Sequence, residues 1–324
     1  MKQNKKILIL DMRKILCIAL LSGGLVLGAF YMDIAAAVET TFLYNLSNLN
    51  GPIRSNSANI TVDEERDEVY VVDHSERDVS IFNDTGMEVY RFGEDGSLGS
   101  VVDVDVGGDG NIIVLSKGSS KPSILICNFR GEPVSALEIK NLPSDFSSFT
   151  PDHMAYRKGR IYFLDSNSMR IAVTNTKGLF ENGYDLAPLL GVEEEKRGNM
   201  GIGGFSLDPE GNMLFTVPVL FSAFKLTPDQ KITGFGKPGG APGRFGLVGG
   251  IVADDRGNYF VADRLKCAIL IFDKDFQFQL EFGYRGLSPQ NLIGPNEIAI
   301  DGGGRLYVSQ LRNRGVSVFK ITYP

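Results

Sequence analysis

Histidine is nearly absent from this chain, with His74 and His153 the only two in 324 residues. Neither has a serine or cysteine partner at a readable spacing, so nucleophilic catalysis of the triad type has no support. Cysteine is as scarce: Cys17, Cys127 and Cys267 are the whole set. There is no Cys-x-x-Cys-His haem attachment site, no zinc-ligand cysteine cluster and no Gly-rich phosphate loop. Long apolar runs are missing too, with one exception near the start, Ile15 to Phe30.

That exception belongs to a leader. Lys2, Lys5, Lys6, Arg13 and Lys14 precede the apolar run, and Ala35-Ala36-Ala37 follow it before Val38. This order predicts a secretory signal peptide over residues 1–37, cleaved near Ala37/Val38, and hence a periplasmic or secreted protein. The alternative is an uncleaved N-terminal membrane anchor, for which 16 apolar residues fall short of the roughly 20 needed to span a bilayer. Met12, followed by Arg13-Lys14, offers a second start besides Met1. Cys17 follows Leu16 rather than a small residue and lies inside the run, which argues against a lipoprotein anchor. The leader carries a net +3 of a chain total of −6, leaving −9 for the remainder. Nucleic acid is not an expected partner of so acidic a protein, since phosphate backbones call for a basic stripe.

What the sequence has is a repeat. Gly250 to Gly283 contains four β-rich runs separated by polar turns, beginning Ile251 to Asp254, turning at Asp255-Arg256-Gly257-Asn258 and resuming at Tyr259 to Asp263. The turn position recurs at Asp67, Gly110, Gly159, Gly211, Gly257 and Gly304, at spacings of 43, 49, 52, 46 and 47 residues. Six residues further on, the second runs end at Asp73, Ser116, Asp165, Val217, Asp263 and Gln310. Third runs follow at Val79 to Asn83, Ile124 to Asn128, Ile171 to Asn175, Phe221 to Lys225, Ile269 to Asp273 and Val316 to Lys320. Six such units with a period in the forties predict an all-β, six-bladed β-propeller of four-stranded blades.

The phrases Gly234 to Asp263 and Glu281 to Ser309 resemble the NHL repeat, with its Phe-Gly, Gly-rich linker and Tyr-Val-Ala-Asp-like second strand. Blades one, five and six carry the pattern. Blades two, three and four are degenerate, with Ser116 and Val217 where the repeat has Asp. The resemblance implies a propeller and a binding scaffold, because this family serves many unrelated functions.

Residues 38–324 are used up by six blades, so one domain is expected. The last blade reaches Pro324 soon after its third strand and lacks an outer strand, whereas the β-rich stretch Thr41 to Leu46 precedes blade one and belongs to no other blade. It is expected to return and complete blade six, closing the ring and removing two open sheet edges. Asn48 to Asn59 then reads as the first linker to the channel. Cys127 stands at a core position of a third strand, and blades two and five lie opposite, so no Cys127–Cys267 bridge is expected. Glu193 to Arg197, within a connection from Tyr184 to Gly201, reads as a solvated loop, with a partner-binding insertion as the alternative.

The candidate site is the channel mouth. The register places Asn59, Asp103, Asp152, Gly204, Gly250 and Glu297 just before the inner strands of blades one to six. Blades six, one, two and three are contiguous, so Glu297, Asn59, Asp103 and Asp152 form one candidate ligand group. Their hard oxygens would suit Ca²⁺ and resemble the Glu/Asn/Asp metal sites of lactonase-type propellers. The competing reading has them capping backbone groups. The peptide-amidating lyase, an NHL propeller with zinc held by histidines, is a further relative, but two histidines cannot supply its site. His153 aligns with the apolar inner-strand position of Ile251, which suits a channel or core histidine. Asp73, Asp165 and Asp263 recur at a repeat position and are expected to bind local backbone. The expected function is a monomeric, exported, non-catalytic scaffold for a protein or peptide, with no cofactor and no membrane contact beyond the leader. A metal-dependent lactonase or hydrolase is the alternative.

Overall fold

A computed structural model describes residues 38–323 apart from 57, 75 and 119–121; the leader lies outside the described residues. Six four-stranded antiparallel sheets form the blades of a β-propeller. The inner strands around the channel are Asn59–Asp63, Ser100–Val106, His153–Arg157, Gly204–Leu207, Val248–Ala253 and Ile298–Ile300. We call the end where they begin the upper face. The turn that ends each of them needs a left-handed residue, which explains the recurrent glycine: Gly110, Gly159, Gly211, Gly257 and Gly304 have φ of 76 to 90°, and Asp67 takes the same region at 51°.

The second strands hold the molecule together because both of their faces are buried. Val69 and Val71 pack towards blade six while Tyr70 and Val72 pack towards blade two. Ile112 and Val114 join that second cluster, and Ile113 and Leu115 face blade three. The alternation continues through Phe163 and Leu164, Phe215 and Leu214, and Tyr259 and Phe260, to Leu306 and Tyr307. A two-residue period on a strand buried on both sides thus yields six apolar clusters, one in each gap between blades.

Closure follows the same rule. Glu39–Asn45 lies antiparallel to Val316–Thr322, with Glu39 opposite Thr322 and Asn45 opposite Ser317, and becomes the outer strand of blade six. The strand starts two residues earlier than Thr41 and ends before Leu46, which leaves the ladder to be fully buried between blades six and one. Asn48 to Asn59 is not all linker either, since Ser47–Asn48 pairs with Gly51–Pro52. Cys127 and Cys267 are both buried and unbridged.

The connection between blades three and four departs from its sequence reading. Tyr184 is still in the outer strand Phe180–Asp185, and two single-turn helices follow, Leu186–Leu189 and Glu194–Arg197. The charge run is solvated except at Arg197, which is buried. Its guanidinium donates to both Asp185 oxygens (2.6 and 3.0 Å), to the Ser168 carbonyl (2.7 Å) and to Glu194 (2.6 Å). An arginine with its donors met in this way can be buried, and it pins the connection to the blade.

Phe319 tests the closure. Its ring centroid lies 5.6 Å from that of Phe42 on the closing strand and 5.0 Å from that of Phe282 on blade five. Phe319→Ala is expected to lower the unfolding free energy by about 3–5 kcal/mol, measured by denaturant titration. A loss below about 1 kcal/mol would mean that the closing strand is not anchored there.

Candidate functional site

Neighbouring inner strands belong to different sheets, and apart from Gly250 N donating to the Asn296 carbonyl (2.6 Å) between blades five and six, side chains supply the links between them. Asn59 donates to the Val102 carbonyl (3.0 Å) and Thr61 to that of Val104 (2.6 Å), linking blades one and two. Asp103 accepts from Met154 N (2.9 Å) and Asp105 from Tyr156 N (2.6 Å), linking blades two and three. Ser206 donates to the Ile251 carbonyl (2.6 Å) between blades four and five. Alternate residues of a strand share a face, which is why these groups recur at i, i+2 on the channel wall.

Asp152 and Glu297 directly precede their inner strands and Asn59 opens its own, close to the expected register. Asp103 and Gly250 do not precede theirs. Each lies inside its strand, Asp103 just past a register shift between Val101 and Asp103, and Gly250 within one between Val248 and Ile251. The extra residue of such a bulge extends the strand upward past the mouth.

Three of the four expected residues, Asn59, Asp103 and Glu297, line one cavity of about 230 Å³. Asp152 does not line it. It accepts from Ser166 N (3.0 Å) and Ser166 Oγ and lies 3.2 Å from His153 Nδ1. His153 takes the fourth place in the cavity wall. Burial opposes its charge, but the hydrogen bond to Asp152 and the fields of Glu297 and Asp103 raise its pKa to about 9. The channel therefore carries a built-in cation among its carboxylates. Burial raises Asp103 as well and lifts Glu297 to about 7 even with His153 beside it. Asp105, deeper in the same wall, is also lifted to about 7 by burial. Among the described residues, no three His, Cys, Asp or Glu side chains are grouped so as to hold a metal ion. His74 Nε2 lies 3.4 Å from Asn59 Oδ1 at the rim.

The repeat aspartates act on backbone. Asp165 Oδ1 accepts from Asn167 N and Ser168 N (3.1 and 3.0 Å), and its other oxygen accepts from Thr150 N in the incoming linker (2.9 Å). Asp263 does the same with Leu265 N, Lys266 N and Gly246 N (3.0, 2.9 and 2.6 Å). Asp73 accepts from Glu76 N (3.3 Å). Gln310, longer by one methylene, reaches the linker amide of Ile293 (2.8 Å). Where blade four has Val217, a 3-10 turn over Pro218–Leu220 takes over.

At the lower end the channel opens into a larger cavity of about 450 Å³, lined from all six blades. Carboxylates outnumber cations there seven to three, and Glu64, Glu65 and Asp255 are exposed. Arg157 reaches across the rim to the Pro209 carbonyl.

The same architecture occurs in solved proteins. Virginiamycin B lyase from Staphylococcus aureus superposes with a TM-score of 0.57 at 12% identity, covering 89% of this chain and 100% of that one. A protein of unknown function from Bacteroides thetaiotaomicron gives 0.63 at 15% identity, covering 88% and 76%. A gluconolactonase from Xanthomonas campestris gives 0.55 at 13% identity, covering 89% and 92%. The chain is a six-bladed β-propeller. At these identities the likeness is one of fold alone. No family model matches the chain, and no curated protein matches its sequence. The NHL resemblance thus holds at the level of the six-bladed architecture.

The raised groups set a pH dependence. Glu297 and Asp105 bind their protons more tightly in the fold, so their contribution is present at low pH and lost as pH rises through about 7. His153 likewise contributes below its ordinary value of 6.5 and loses that contribution as pH rises through about 9. The melting temperature is therefore expected to fall from pH 5 to pH 9, and Asp105→Asn to flatten the part between 5 and 7. A melting temperature that rises over this range would contradict the assignment.

Proposed function

We propose that the protein is an exported, non-catalytic scaffold that binds a protein or peptide segment in its lower channel mouth, after removal of residues 1–37. The observation that carries this reading is the contrast between the two mouths. At the upper mouth, Asn59, Asp103 and Asp152 are bonded to backbone, Ser166 or His153. The lower mouth is the larger, open to water and lined from every blade. Its carboxylate excess favours a segment carrying lysine or arginine.

Fluorescence anisotropy with a labelled Lys/Arg-rich peptide is the test, with an Asp/Glu-rich peptide as control. The basic peptide is expected to bind, to weaken with added salt, and to lose roughly tenfold or more in affinity in the Glu64→Gln, Glu65→Gln, Asp255→Asn variant. Equal binding of the acidic peptide, or no effect of the triple substitution, would remove the lower mouth from the proposal.

The alternative is a metal-dependent lactonase or hydrolase using Asn59, Asp103, Asp152 and Glu297, kept in view by the gluconolactonase fold neighbour. A cation that binds only the folded form adds about 2.7 kcal/mol of stability at 100 times its dissociation constant. On the scaffold reading, Ca²⁺ is expected to shift thermal unfolding no more than Mg²⁺. A Ca²⁺-selective rise that disappears in Glu297→Gln with Asp103→Asn would establish the metal site instead.

A further inference from the structure

The upper face is electrically split. Five segments bound one half of it: the linkers 236–247, 284–297 and 46–58, and the loops 264–267 and 310–315 between second and third strands. Together they hold eight basic side chains and a single acidic one, Glu297, in a chain with 33 basic and 39 acidic residues. The other half, counted in the same way over the linkers 93–99, 137–152 and 186–203 and the loops 74–77, 118–122, 166–169 and 218–221, holds nine acidic and five basic.

The basic segments form one continuous band. Lys266 Nζ donates to the Arg244 carbonyl (3.2 Å) and Arg264 N to that of Leu247 (2.9 Å), joining the first linker to the loop of blade five. Gly294 N donates to Cys267 Sγ (3.5 Å), joining that loop to the second linker. Leu311 N donates to the Ile293 carbonyl (3.0 Å), and Gly315 N to that of Ser55 (3.1 Å), which carries the band across blade six to the closing linker. Arg54, Lys237, Arg244, Arg264, Arg285 and Arg312 are exposed along it, and none of these six forms an ion pair among the described residues. Between them stand apolar tips: Leu265 is 72% exposed and Leu287 87%, with Tyr284 49% exposed beside them.

We propose that this band seats the propeller, upper face down, on an anionic phospholipid surface. Unpaired cations next to exposed leucines are what such a surface takes: guanidinium and ammonium groups meet lipid phosphates while leucine tips enter the headgroup and acyl boundary. A tyrosine at the same level suits the interface. A nucleic acid would call for several stacking rings, and Tyr284 is the only exposed aromatic in the band. Seated this way, the lower mouth faces solution. The inference is independent of what that mouth binds.

The test is co-sedimentation of the propeller, residues 38–324, which closes within itself through its first strand, so the leader's apolar run does not enter the readout. Binding to vesicles of phosphatidylcholine with phosphatidylglycerol is expected to exceed binding to phosphatidylcholine alone by roughly tenfold or more. The Lys237→Gln, Arg244→Gln, Arg285→Gln, Arg312→Gln variant is expected to lose that excess. Leu265→Ser with Leu287→Ser is expected to weaken binding at high salt, with melting temperatures of both variants unchanged. Equal binding to both vesicle types would overturn the proposal, as would leucine substitutions without effect at any salt. Tighter binding of single-stranded DNA than of vesicles would assign the band to a soluble polyanion instead.

Discussion

The architecture depends on one constraint, the burial of both faces of each second strand. A sheet in a sandwich presents one apolar face to a partner, but a blade is wedged between two neighbours and must satisfy both. Val69 to Val72 shows the arrangement at residue level, with successive side chains entering different clusters. Because each cluster is shared by two blades, an open ring would leave one blade face on each side of the gap exposed. Joining Glu39–Asn45 to Val316–Thr322 completes blade six, and Leu46, Tyr307 and Val316 then fill the last gap.

The same geometry creates the polar channel. Blades converge on the axis as separate sheets, so the backbone groups of adjacent inner strands cannot all be met by a shared ladder. Asn59, Thr61, Asp103, Asp105 and Ser206 meet some of them. Bringing carboxylates so deep has an electrostatic cost, visible in the upward shifts of Asp105 and Glu297. His153 offsets part of it as a cation held by Asp152. A channel of this kind can look like a metal site in sequence because the same residue types serve both roles.

The fold was legible because its signals are repeated: the left-handed turn at Gly257 and its equivalents, the two-residue alternation of the second strands, and an orphan strand ahead of a blade lacking one. The register of the inner strands was less so. Asp103 sits past a bulge and Gly250 within one, and a bulge is one residue in excess, invisible where the strand reads as Val-Val-Asp-Val or Gly-Gly-Ile-Val. His153 lies in the channel wall as its alignment with Ile251 suggests, but that alignment marks its strand position and not the field of three carboxylates around it. Asp105 could have been found: it lies two residues after Asp103 and so on the same wall. Arg197 could not, because its burial depends on Asp185 and the Ser168 carbonyl, which the sequence does not place near it.

Charge is where a whole-chain total says least. A net of −6 hides the difference between the two ends of the channel: the lower mouth has a carboxylate excess, whereas the linkers and loops of half of the upper rim carry eight basic groups, of which Lys266 is paired with Glu281, against one acidic. At a Debye length of about 8 Å in physiological salt, a partner at one face senses that face and little of the other. Net charge therefore excludes a partner only where the charge is evenly spread. A propeller does not spread it, because all linkers between blades emerge on one face and all turns after inner strands on the opposite one. The two faces can diverge in composition without touching the clusters between the blades, which leaves the scaffold free to carry different chemistry at each end of one channel.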